Sequence, residues 1–133
     1  IRQATRAYKI DPSRIYLTGH SMGGFGAWQV ASDHPEIFAA MAPVSGGPPV
    51  PPAQLPALLA KLKGMPIFVV HGAKDGIVAP EQSRKIVEES KKAGLQVTYT
   101  EVPGADHLTV VGPTFSKIMD FFEKNRRQSA AGK

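Results

Sequence analysis

Three residues of this 133-residue chain have the types and the order needed for attack on an acyl carbon: Ser21, Asp75 and His107. Ser21 stands in Gly19-His20-Ser21-Met22-Gly23, a G-x-S-x-G pattern placed directly after a short apolar run and before an amphipathic one. A chain that turns from strand to helix within so few residues forces its central serine into a strained conformation. Small neighbours let the two backbones approach. The turn lifts the hydroxyl to a helix N-terminus, where free N–H groups favour negative charge, so the Met22 N–H is expected to be one oxyanion donor.

A serine hydroxyl is a poor nucleophile at neutral pH and needs a base within hydrogen-bond reach. Asp75 lies in His71-Gly72-Ala73-Lys74-Asp75 after one apolar run, and His107 in Pro103-Gly104-Ala105-Asp106-His107 after another. The acid and then the base follow the nucleophile along the chain, the order that strand–serine–helix turns of this kind use. In a parallel sheet all three loops emerge at the carboxyl edge, where ligands bind. His107 would take the serine proton and return it to the leaving group, while Asp75 fixes the imidazole tautomer.

The competing residues have plainer readings. His20 flanks the nucleophile and shapes its turn; it and Ser45, at the end of the second strand, are also candidate substrate contacts. His34 precedes Pro35 as a helix-end cap, and His71 closes a strand and holds the Asp75 loop by hydrogen bonds. Asp106 adjoins His107 and should point elsewhere, and Glu101 reads as a strand-edge surface residue. No His, Asp or Glu group has metal-ligand spacing, so neither a metal nor another cofactor is expected.

The elements that must position these residues alternate short apolar runs with amphipathic stretches, the pattern of an α/β fold with a parallel sheet. An opening helix ends at the turn Asp11-Pro12-Ser13. Strands are expected at residues 15–18, 38–44, 67–70 and 97–102, and helices at residues 22–32, 55–61, 80–92 and 113–124. Pro at the start, Glu81 in the first turn, Lys91 and Lys92 near the end and Gly94 beyond it frame the third of these helices. The Pro48-Pro49-Val50-Pro51-Pro52 segment is a stiff connection. One catalytic domain over residues 1–127 is expected, with a frayed tail at 128–133.

Composition excludes some classes. Hydrophobic residues make up 42% and charged residues 20%, a globular balance. The absence of cysteine removes disulfides and thiolate chemistry. The net charge of +5 is scattered over helix surfaces without interleaved aromatics, which argues against a nucleic-acid partner. No apolar run reaches the roughly 20 residues that cross a bilayer, so no membrane association is expected, and no signal peptide is visible.

Together DPSRIYLTGHSMGGFGAW, HPEIFAAMAPVSGG, PIFVVHGAKDGIV and VPGADH resemble the esterase and predicted-peptidase branch of the α/β-hydrolase superfamily. Relatives there include feruloyl esterases, polyhydroxybutyrate depolymerases, phospholipase/carboxylesterases and prolyl-oligopeptidase-like catalytic domains. The resemblance implies a serine esterase acting on small-molecule esters, with Ser21 as nucleophile, Asp75 as acid, His107 as base and Met22 N–H in the oxyanion hole. An amidase or peptidase, or an impaired hydrolase fold serving as a binding module, are the alternatives. Family members normally begin with further strands, one of whose loops supplies a second oxyanion donor. The expectation is therefore a partial α/β-hydrolase fold lacking the N-terminal strands, with an open sheet edge through which copies of the chain could pair. The Pro48–Pro56 segment is where selectivity would be sought.

Overall fold

The structure, a computed structural model, describes residues 1–127; the expected frayed tail at 128–133 lies outside the described residues. Four parallel strands, β1 (Tyr16–His20), β2 (Ala40–Val44), β3 (Ile67–Gly72) and β4 (Val97–Val102), form one sheet in the order β1-β2-β3-β4. Among the described residues five α-helices accompany them: α1 (Arg2–Ala7), α2 (Met22–Asp33), α3 (Leu55–Lys61), α4 (Pro80–Lys92) and α5 (Val111–Lys124). This is the expected α/β architecture. The register runs without a break from Tyr16↔Ala40 to His20↔Val44, and from Ile67↔Val97 to Gly72↔Val102. Strand ends therefore line up, and so do the loops that follow them.

The period-2 alternation of strand side chains divides the core in two. Met41, Ile67 and Val69 face one way and pack with Trp28, Leu58, Leu59, Leu62, Ile86 and Val87 from α2, α3 and α4. Ala40, Ala42, Val44, Phe68 and Val70 face the other way, against Ile118 and Phe122 of α5. The central strands β2 and β3 are buried along their whole length, whereas β1 and β4 are only half-buried, as edge strands are. Among the described residues no helix is long and apolar enough to cross a membrane.

The boundaries of α3, α4 and β4 coincide with expectation. Four others move for local reasons. β1 and β3 continue two residues further, to His20 and Gly72, because ladder pairing extends through the small residues Gly19 and Gly72 up to the turn itself. β2 starts at Ala40, two residues later, after Ala39 N–H has bonded Ile15 O at 2.7 Å. α5 begins at Val111 with Pro113 inside its first turn, where a missing N–H costs no hydrogen bond. The proline segment contains a short 3-10 turn at Pro52–Gln54 that leads directly into α3.

Candidate active site

The turn between β1 and α2 has the strain that the sequence pattern demands. Ser21 sits at φ 55°, ψ −117°, a conformation that L side chains rarely adopt. Two hydrogen bonds hold it there: Ser21 N–H to Val44 O at 3.0 Å, and Phe25 N–H to Ser21 O at 3.0 Å. Gly19 makes the geometry possible, since a Cβ on it would lie 2.3 Å from Gly23 O. Met22 is the first helical residue, so its N–H has no acceptor within α2 and points out of the helix end beside the serine.

The loops after β3 and β4 converge on the same edge. Gly72 permits this, because a Cβ there would lie 2.6 Å from Ala105 O. Lys74 N–H to Ala105 O at 2.8 Å and Ala73 N–H to Val102 O at 3.0 Å lace the two loops together. The outcome is a continuous hydrogen-bonded chain. Ser21 Oγ–H donates to His107 Nε2 at 2.8 Å, and His107 Nδ1–H donates to Asp75 Oδ2 at 2.7 Å. The three residues, 86 and 32 positions from their partners in the sequence, are brought together.

Asp75 is buried and held as a carboxylate. Ile77 N–H and Val78 N–H donate to Oδ1 at 2.9 and 2.8 Å. Burial by itself would push the carboxyl up, but the hydrogen bonds from Val78, His107 and Ile77 outweigh it and hold the pKa down at about 2. The carboxylate is thus ionised at neutral pH and can stabilise an imidazolium on His107.

Other candidates take supporting places. His20 Nε2–H donates to His107 O at 2.7 Å, and its ring lies 4.7 Å from the His107 ring, so one nitrogen of the expected substrate contact is committed to the His107 loop. Asp106 is directed away from His107; it accepts from Leu108 N–H, Thr109 N–H and Thr109 Oγ1–H at 3.0, 2.9 and 2.8 Å and so fastens the turn that carries His107. Glu101 is more than a surface residue. Arg84 Nε and Nη2 grip its carboxylate at 2.8 and 2.6 Å and Tyr99 Oη–H adds a third bond at 2.7 Å, tying α4 to β4.

Ser45 requires a correction. It was a candidate substrate contact, yet it is fully buried, at φ 49°, with its N–H bonded to Val70 O at 2.9 Å. Its hydroxyl meets no partner in hydrogen-bonding geometry, although it lies near enough to Asp75 to favour the charged carboxylate. A residue closed off from solvent in this way cannot meet a substrate. The sequence also gave no notice of Ile77 and Val78 as donors to Asp75, beyond the Asp-Gly pair that marks a tight turn.

An apolar cleft of about 180 Å³ opens between Phe25, Pro48, Val50, Leu55 and Ile86, so the proline segment lines a cavity beside α2 and α4. A larger one, about 560 Å³, lies beside Phe38, Met65 and Pro66 at the opposite end of the strands, away from Ser21, Asp75 and His107. Among the described residues no group of three His, Cys, Asp or Glu is placed to hold a metal ion.

Known proteins share this arrangement of elements. The chain is similar to a crystal structure of a thermostable esterase, with 33% identity and a TM-score of 0.82 over 95% of this chain and 35% of that one. It is 29% identical over 107 residues to a putative esterase, NocK, of Nocardia uniformis subsp. tsuyamanensis, covering 75% of this chain and 30% of the relative. Over 41 residues it is 49% identical to poly(3-hydroxyalkanoate) depolymerase C of Paucimonas lemoignei, covering 31% of this chain and 10% of that protein. The chain thus spans about a third or less of the length of these relatives. A family model described as the dienelactone hydrolase family matches residues 1–110, a span that includes the serine turn, the Asp75 loop and His107. The chain belongs to the dienelactone hydrolase family.

Proposed function

We propose that this chain hydrolyses carboxylic esters through an acyl-serine intermediate, with Ser21 as nucleophile, His107 as general base and acid, and Asp75 as the group that orients and charges the imidazole. The observation that carries this reading is the unbroken chain Ser21 Oγ–His107 Nε2–Asp75 at 2.8 and 2.7 Å, at a strained turn heading a helix. Ser21 Oγ attacks the ester carbonyl carbon and its proton passes to His107 Nε2. The Met22 N–H stabilises the oxyanion. Collapse of the tetrahedral intermediate breaks the ester C–O bond, and His107 gives its proton to the departing alcohol. Water then attacks the acyl-serine by the same route, releasing the acid and restoring Ser21.

The surroundings favour esters with apolar groups. Met22, Ile77 and Leu108 are 85%, 72% and 75% exposed, and each lies within two residues of a different member of the triad. Large apolar side chains so exposed around one polar centre suit a binding rim better than a solvated surface. The esterase names of the relatives agree with this choice over amide cleavage.

Hydrolysis of p-nitrophenyl acetate and labelling by a fluorophosphonate test the reading. Wild type should turn over and label, and Ser21→Ala should lose about 10⁴-fold or more in kcat/KM and fail to label. A wild type that neither turns over nor labels refutes it. Parallel assays on the matching p-nitroanilide separate an esterase from an amidase.

A further inference from the structure

A second imidazole lies behind Asp75. His71, one residue before the end of β3, is fully buried on the same face of the strand as Ile67 and Val69, and so reaches into the layer containing α4 rather than towards solvent. Its Nε2 lies 2.9 Å from Val78 O and 3.2 Å from Asp75 Oδ2, and its Nδ1 lies 2.7 Å from Ser83 Oγ. A carbonyl oxygen only accepts, so Nε2 carries a hydrogen. That hydrogen is donated to Val78 O, leaving Nε2 a 3.2 Å neighbour of Asp75 Oδ2, and Nδ1 accepts the Ser83 hydroxyl proton. Every polar atom of the ring is then satisfied by a neutral imidazole.

Asp75 Oδ2 accepts from His107 Nδ1–H and also lies 3.2 Å from His71 Nε2, while Oδ1 accepts from two backbone N–H groups. We propose that His71 is a positioning residue for the proposed esterase chemistry, acting through Asp75 by setting the polarised Nε2–H edge of a second imidazole 3.2 Å from the carboxylate oxygen that accepts from His107, and so limiting how strongly Asp75 holds a proton on His107. This inference rests on the triad reading above. The physical argument is electrostatic: a partially positive N–H edge close to a carboxylate oxygen offsets part of its charge, and removing it leaves more of that charge to act on the His107 proton. An over-strong acid would retain the proton on His107 and impair its role as a base at neutral pH.

Other charged or titratable groups face this cluster and must be held constant. Glu101 pairs with His71 across the β3–β4 ladder and is gripped by Arg84 of α4. Asp106 lies near Asp75 on the His107 loop, and the His20 ring packs against His107. None of these is hydrogen-bonded or ion-paired to Asp75 Oδ2 among the described contacts, whereas His71 Nε2 lies 3.2 Å from it, so His71 is the group whose replacement changes the surroundings of that oxygen.

The experiment follows the His107 ring by NMR titration and, in parallel, the acid limb of the pH profile of p-nitrophenyl acetate hydrolysis. His71→Leu removes that N–H edge, and His71→Gln returns an N–H near the position of Nε2. Ser83→Ala is the milder variant in case His71→Leu fails to fold, since it frees the ring to turn away without leaving a cavity. The expected result is an upward shift of the His107 titration by about half a pH unit in His71→Leu, a smaller one in Ser83→Ala, and restoration towards wild type in His71→Gln. A titration unchanged or lowered in both His71→Leu and Ser83→Ala overturns the proposal, even where activity or Tm falls, because a merely structural role predicts that pattern. The NMR readout needs no turnover. An inactive wild type would therefore refute the esterase reading while the coupling of His71 to His107 is still decided.

Discussion

At the scale of residues, the site rests on a few atoms with fixed donors and acceptors. Asp75 illustrates the point. Replacing it by Asn keeps the shape but removes the charge, and the amide can present an N–H where Oδ2 now accepts from His107. The imidazole would then favour the wrong tautomer, and kcat should fall by about 10³–10⁴-fold with little change in KM, as measured by steady-state hydrolysis of p-nitrophenyl acetate. A fall confined to KM would mean that Asp75 acts in binding instead. The residue types and chain order of Ser21, Asp75 and His107 were legible in the sequence because a strand–serine–helix turn carries its own signature. Ser45 was misread because nothing in Val44-Ser45-Gly46 distinguishes a serine facing a pocket from one folded beneath it at positive φ. That distinction depends on what packs above it, which is tertiary information.

At the scale of elements, close approach of backbones matters more than any single side chain. Gly72 lets the β3 loop touch the His107 loop, with a Cβ there falling 2.6 Å from Ala105 O and 2.7 Å from Asp106 O. Both contacts are to backbone, which cannot swing aside, so Gly72→Ala must push the two loops apart. Loss of roughly 1–3 kcal/mol in stability is expected, with a drop in kcat of about 10-fold or more as His107 leaves Asp75. Urea melts and initial rates measure the two effects, and a variant equal to wild type in both would show that the loops have slack. Trp28 plays a similar part for α2: it is fully buried and its Nε1–H reaches Gly46 O at 3.2 Å, joining the helix that follows Ser21 to the loop after β2. Trp28→Phe keeps most of the apolar burial but leaves that carbonyl unpaired, so a loss of about 1–2 kcal/mol is expected in the same melts. Amphipathic spacing and caps were enough to place α3 and α4 in the sequence. They were not enough to reveal that Arg84 of α4 clamps Glu101 of β4, since a salt link between elements has no local period.

At the scale of the whole molecule, the sheet and its helices form a partial hydrolase fold whose stability should depend on pH through a few well-held carboxylates. Asp75 and Glu101 both titrate at about 2 in the folded chain, below their ordinary values of 3.8 and 4.5. The cause at Asp75 is hydrogen bonding that overcomes burial; at Glu101 it is the bond from Arg84, then that from Tyr99. A folded-state pKa below the unfolded one means that the unfolded chain binds protons first as acid is added. The stabilisation is therefore complete above about pH 5 and is lost as pH falls from the unfolded pKa values near 4 through the folded values near 2. Asp11, Asp106, Glu88 and Glu123 are lowered as well, but they are open to solvent and screened, so they should add little. Thermal melts from pH 7 to pH 2 should show a Tm that is level down to about pH 5 and then falls steeply. Asp75→Asn should start lower and fall less over the acid range, because the group that binds the extra proton on unfolding has gone. Added salt should leave most of the wild-type slope in place, since hydrogen bonds to a buried carboxylate are poorly screened. If Asp75→Asn instead follows the wild-type slope throughout, the acid lability belongs to exposed carboxylates, and the buried Ser21–His107–Asp75 network contributes nothing to it.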